Sequence, residues 1–177
     1  MSEHWTYKKG LVNTGNGIYA WLQPDGGWGW SNAGLVVDGD QSLLVDTLFD
    51  AKMTRDMLAA MADASGIKAD DINTVVNTHA NGDHTHGNGL CTHAEIISSD
   101  ASAREMEATS AEVMQGMMNA APKMGDAGEY LLDIFGPFDF SDVAEKLPTR
   151  TFSGELELMV GDKQVQLIEV GPAHTGG

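Results

Sequence analysis

The sequence predicts an α+β domain in which helices cover a sheet. Three observations predict it. Apolar runs flank turn residues near the start and again near the end, as hairpins require. A stripe of apolar residues at helical spacing follows position 50. Strand-like and helix-like segments then alternate, so hairpins and crossovers both occur. With 177 residues, 42% of them hydrophobic, one domain spanning 1–177 with its own core is expected.

The elements follow in order. Residues 17–22 read as a short strand, because Ile18, Ala20 and Leu22 alternate with Tyr19 and Trp21. Pro24-Asp25-Gly26-Gly27 is a turn. Leu35-Val36-Val37 and Ser42-Leu43-Leu44-Val45 are joined by Asp38-Gly39-Asp40 as a hairpin. Met53, Met57, Leu58 and Met61 form one helical stripe, with Asp50 as its N-cap and Gly66 as its stop. Packing alone explains those methionines. Residues 72–76 are a buried strand that runs into His79, and 94–98 are another strand. Ser99 or Asp100 caps one helix over 101–119, and a shorter helix covers 129–135. Strands at 156–160 and 165–170 flank a turn at Gly161-Asp162-Lys163.

Charge narrows the partners. Twenty-six acidic residues stand against 10 basic, a net charge of -16. Such a surface repels phosphate backbones and bare anionic bilayers, so neither nucleic acid nor a membrane is an expected partner. No run of about 18 apolar residues marks a membrane span. The first residues lack the basic and apolar stretches of a secretory leader. Cys91 is the single cysteine, so no internal disulfide forms. A cytoplasmic location is expected.

The chemistry concentrates at 77–88, where Asn77-Thr78-His79-Ala80-Asn81-Gly82-Asp83-His84-Thr85-His86-Gly87-Asn88 follows a buried strand. Three of the six histidines and an aspartate share this loop. Strand ends are where α/β sheets place ligands. Neutral imidazole and carboxylate are the donors that borderline divalent metals select. Gly82 and Gly87 are expected to supply unusual backbone angles to the loop.

This segment resembles the signature of the metallo-β-lactamase superfamily, His-x-His-x-Asp-His after a strand. His79, Asp83 and His84 match it, and Asn81 stands where the second histidine belongs. Leu43-Leu44-Val45-Asp46 resembles the family's early strand ending in an aspartate. Gly171-Pro172-Ala173-His174-Thr175-Gly176 resembles its next metal motif. The likeness runs from about Gly17 to Gly177.

The resemblance implies an αββα sandwich and a metal-dependent hydrolase. His79, Asn81 and His174 would form one metal site, and Asp83 and His84 would contribute to a second. The cofactor implied is zinc, one or two ions, with iron or manganese as alternatives. A metal-activated water would attack an ester, thioester, amide or phosphoester of a small-molecule substrate. Asp83 would be the catalytic residue, as a ligand that also orients or deprotonates the nucleophile. An amide is a poor zinc ligand, so Asn81 predicts a weakened first site, which His86 would relieve if the loop turned toward it.

Cys91 and His93 are a candidate zinc pair, with core packing of Cys91 the simpler reading. Trp28-Gly29-Trp30 would either wall the substrate cleft or pack on the sheet. Asp46 would hydrogen-bond the loop from behind its ligands. Family members continue beyond the position of Gly177. The expectation is therefore the N-terminal sheet-plus-helices half of the sandwich, with a sheet face left uncovered and a homodimer or higher homo-oligomer covering it. A catalytically incomplete fragment or a non-catalytic metal-binding protein is the alternative, and an iron-dependent redox member of the fold is the second alternative.

Overall fold

A computed structural model describes residues 8–23, 27–108, 110–143 and 145–177. Its main sheet has seven strands in chain order: β1 (Gly10–Gly15), β2 (Ile18–Leu22), β3 (Ala33–Asp38), β4 (Gln41–Val45), β5 (Thr74–Val76), β6 (Glu95–Ser99) and β7 (Arg150–Phe152). β1 to β4 pair antiparallel, and β4 to β7 pair parallel. The expected mixture of hairpins and crossovers is thus one mixed sheet.

The hairpin between β3 and β4 closes through Gly39 and Asp40, with Asp38 opposite Gln41 and Gly39 at φ 61. Helix α1 (Ala51–Ser65) forms the first crossover. Asp50 caps it by accepting from the Met53 amide, and Gly66 ends it in the left-handed conformation. Met57, Leu58 and Met61 are buried, so the stripe is core.

The central strands are buried on both faces, and their alternate residues split between two cores. Leu44, Val75 and Ile96 pack against α1. Leu43, Val76 and Ile97 face the opposite way, toward β8 (Glu155–Val160) and β9 (Lys163–Ile168). That antiparallel hairpin lays Leu156, Leu158, Val165 and Leu167 on this second face. The Asp162 amide donates to Asp38 Oδ2 at 2.7 Å, and Lys163 Nζ meets Asp38 Oδ1 at 3.0 Å. The Lys163 hydrogen bond, with that of the Asp162 backbone, holds the Asp38 carboxyl below its ordinary range.

Several expectations are corrected. The second sheet face is not left bare, because β8 and β9 cover part of it. β1 and β7 are strands that the apolar pattern did not reveal. The single helix expected over 101–119 is two, α3 (Asp100–Met106) and α4 (Ala111–Ala120). Ser99 caps α3, and Ser110 supplies a second cap for α4. A four-residue turn, α2 (Gly82–Thr85), lies inside the histidine loop, and α5 (Asp126–Phe135) begins three residues before the expected 129. Residues 24–26 of the expected turn lie outside the described residues. No helix among the described residues is long and apolar enough to cross a membrane.

Candidate metal centre

The parallel strands deliver the site. β4 ends at Val45, just before Asp46, and β5 ends at Val76, just before Asn77, so both open at the carboxyl edge of the sheet. The Asp46 amide bonds to Val76 O, and the Asn77 amide bonds to Ile97 O, each at 2.9 Å. The loop beyond them is held by amide side chains and one threonine. Asn77 Nδ2 donates to His84 O at 2.9 Å and to Asn88 Oδ1 at 3.1 Å, and Asn88 Nδ2 returns a bond to Asn77 Oδ1 at 2.8 Å. The Thr47 amide also donates to His84 O, and Thr47 Oγ1 accepts from the Gly87 amide. Ser31 Oγ donates to the Asp83 carbonyl from the neighbouring loop.

Glycine in this loop serves close approach rather than unusual angles. Gly82 and Gly87 are not among the residues with positive φ. A Cβ on Gly82 would stand 2.4 Å from His86 Nε2, and one on Gly87 would stand 2.3 Å from Thr54 Oγ1. Both side chains are excluded by packing.

Five residues singled out from the sequence line one cavity of about 420 Å³: His79, Asn81, Asp83, His84 and His174. The His79 and His84 ring centroids lie 4.1 Å apart, and those of His79 and His174 lie 5.4 Å apart. Asp83 Oδ2 is 3.5 Å from His84 Nε2.

Asp46 sets the proton positions on the two nearer rings. It is 4% exposed and sits at φ 61. Its Oδ1 accepts from the Thr78 amide at 2.7 Å. Its Oδ2 accepts from Thr78 Oγ1 at 2.7 Å and faces His84 Nδ1 at 2.9 Å. A carboxylate accepts only, so His84 Nδ1 carries its proton and the Nε2 lone pair is left outward. Thr78 gives its one hydroxyl proton to Asp46 and therefore accepts from His79 Nδ1, 3.0 Å away. His79 Nε2 then also carries a lone pair. One carboxylate places both imidazoles in the tautomer a metal needs.

The titration of the two rings differs accordingly. Burial lowers the His79 pKa, and the adjacent His84 adds to the effect. Burial would lower His84 too, but the hydrogen bond and charge of Asp46, helped by Asp83, outweigh it and carry that pKa up.

Asn81 departs from a ligand's behaviour. Its Nδ2 lies 2.8 Å from His174 Nε2, joining residues 93 positions apart. The amide thereby occupies the nitrogen that His174 would offer. Among the described residues, no three His, Cys, Asp or Glu side chains already converge to hold an ion. The chemistry of the donors fits a divalent metal all the same. Donors bonded to one ion at about 2.1 Å stand roughly 3.4 Å from each other, and Asp83 Oδ2 and His84 Nε2 are 3.5 Å apart. For His174 to join them, its ring must turn away from Asn81.

The other candidates lie elsewhere. His86 is buried among Phe49 and Phe140, with Nδ1 at 3.3 Å from Phe49 O, and lines the cavity from the aromatic side. Cys91 is fully buried in the α1 core, where burial pushes its thiol up to about 12. His93 lines a separate groove with Asp40, Asp70 and Asp71, so the two do not form a pair with the loop. Trp28 lines the cavity and is exposed, whereas Trp30 packs on Phe138 at 5.1 Å. The two tryptophans divide the two roles expected of that segment.

Comparison with known proteins gives the family. No curated protein matches the chain. Solved structures similar to it include a metallo beta lactamase from Hirschia baltica, at 25% identity and TM-score 0.45, covering 55% of this chain and 46% of that one. One from Erythrobacter litoralis, with beta mercaptoethanol in its active site, is 22% identical at TM-score 0.46, covering 55% and 44%. One from Pseudomonas aeruginosa in a mono-zinc form is 24% identical at TM-score 0.44, covering 55% and 45%. The chain thus spans less than half the length of these proteins. The sequence profile of the metallo-beta-lactamase superfamily matches residues 26–177, which takes in Asp46, the histidine loop and His174. The chain belongs to the metallo-beta-lactamase superfamily.

Proposed function

We propose that this chain supplies the metal-binding half of a hydrolase that cleaves an ester, thioester, amide or phosphoester of a small molecule. The observation that carries the reading is the meeting of His79, Asp83, His84 and His174 on one cavity at the strand ends. His79, His84, Asp83 and His174 would hold zinc, with iron or manganese as alternatives. The bound ion would supply a lowered water pKa and a positive charge opposite the developing oxyanion.

The chain's own residues do the rest. Asp83 accepts the proton of the attacking water, as its place beside His84 Nε2 allows. Asp46 keeps the Nδ1 protons of His79 and His84 directed away from the cavity. Asn81 holds His174 Nε2 and would have to release it to a bound ion, and as an amide it adds little to metal affinity. Phe49 and Phe135 exclude water from the wall opposite.

The test is turnover of generic aryl ester and phosphodiester substrates by the zinc-loaded protein. Asp83→Asn is expected to lower the rate about 100-fold or more, on the usual contribution of a general base. Full activity in Asp83→Asn contradicts the assignment. The Asn81–His174 hydrogen bond favours a second reading, a single-metal protein without catalysis. Stoichiometric metal with no turnover of either substrate class would select it.

A further inference from the structure

Asparagine is followed by glycine at Asn16-Gly17, Asn81-Gly82 and Asn88-Gly89. The pair is chemically labile. The main-chain nitrogen of the glycine can attack the asparagine side-chain carbonyl, and a neighbour without a Cβ leaves that approach open. The three pairs stand in different surroundings. Asn16 is exposed in the turn between β1 and β2. Asn88 is 1% exposed and clamped, because its Oδ1 accepts from Asn77 Nδ2 and its Nδ2 donates to Asn77 Oδ1 and Lys146 O. Asn81 lies half-buried on the wall of the metal cavity.

Asn81 lacks the restraints that hold Asn88. Among the described residues its side chain makes one polar contact, from Nδ2 to His174 Nε2 at 2.8 Å. Its backbone, at φ -66 and ψ 142, lies outside the helical turn. Gly82 opens α2, so its amide has no partner within the turn. Packing also keeps the labile pair in place, since a Cβ on Gly82 would stand 2.4 Å from His86 Nε2.

We propose that Asn81 is a site of spontaneous deamidation, and that the aspartate so formed strengthens the metal centre. Solvent hydroxide takes the Gly82 amide proton, and Gly82 N bonds to Asn81 Cγ. The Cγ–Nδ2 bond then breaks, and the nitrogen leaves as ammonia with a proton from solvent. Water opens the cyclic imide, and where it adds at Cγ the product is an ordinary aspartate. Water is consumed and ammonia released, with no oxidant or reductant. A carboxylate is a donor that divalent metals select, whereas an amide is a poor one. A carboxylate also only accepts, so the Nδ2 proton that now occupies the His174 Nε2 lone pair is gone. The gain in metal binding rests on the metal reading of the cavity.

The test holds the freshly purified, metal-free protein in mildly alkaline buffer at body temperature for several days. Peptide mass spectrometry reads each pair: Asn16 and Asn81 are expected to convert, and Asn88 to remain an amide. The aspartate form is separated from the isoaspartate form, and zinc affinity is measured by competition with a chromogenic chelator. It is expected to rise at least about tenfold, both in the converted protein and in Asn81→Asp, on the exchange of a poor donor for a good one. Asn81→Gln, whose longer side chain closes a ring far more slowly, should gain nothing from the same incubation. An Asn81 that stays intact while Asn16 converts overturns the proposal, and so does an equal gain in Asn81→Gln. Zinc bound by the parent and no tighter by Asn81→Asp also overturns it, and leaves the metal centre standing. Zinc bound by neither form removes both.

Discussion

Asp46 decides the orientation of the site although it lines none of the cavity. Its two oxygens receive the Thr78 amide, the Thr78 hydroxyl and His84 Nδ1, and through Thr78 it also fixes His79. Asp46→Asn isolates that role, because asparagine tolerates the left-handed backbone found there. Zinc affinity is expected to fall about 10–100-fold, as for other partners of ligating histidines. Competition with a chromogenic chelator measures it, and unchanged affinity would remove Asp46 from the account. Cys91 supplies a second check at this scale. Fully buried, with its thiol pushed up to about 12, it should resist a thiol reagent until the chain is unfolded in urea. At the level of residues, the histidine loop was legible because donors clustered after a strand, and His174 because a second motif followed in order. The pairing of Asn81 with His174 was not, since sequence spacing says nothing of where an amide points across 93 positions. Nor was Ser31, whose hydroxyl reaches the Asp83 carbonyl from another loop.

At the scale of elements, the loop stays in place through bonds made behind it. Asn88 is 1% exposed and closes on Asn77 and Lys146 O, so Asn88→Ala strands buried polar groups. The expected loss is about 1–3 kcal/mol, read from urea unfolding. A loss below a few tenths would show that the pair is not structural. Asp50→Ala should cost about 0.5–2 kcal/mol by uncapping α1. The C-terminal segment has its own anchor: the Gly176 amide donates to Glu105 on α3 at 3.0 Å, two positions beyond His174. α1 was legible from its stripe and both caps. The break between α3 and α4 was not, because Met106, Val113 and Met117 keep an apolar spacing across it although α3 stops at Met106 and Ser110 caps the next helix. β1 and β7 escaped notice for a related reason. Both are edges of the sheet with little buried side chain, and an edge strand needs no alternating pattern.

For the whole molecule, the mixed sheet brings one set of side chains to its carboxyl edge and covers both faces, with α1 on one and the β8–β9 hairpin on the other. The fold class was legible from period and turn residues. The coverage of the second face was not, because a hairpin whose inward residues are only partly buried reads no differently from one lying free in solvent. The central claim belongs to this scale: the loop after β5 and the segment at 171–177 bring donors from two parts of the chain to one cavity, where they would hold a single ion, with Asp46 at the end of β4 orienting the histidines. Zinc content after dialysis, measured by elemental analysis on the intact protein and on the double variant His84→Ala/His174→Ala, tests it most directly. The account predicts at least one zinc per chain in the first and a near-complete loss in a still-folded second. Equal zinc in both, or none in either after reconstitution, would contradict it.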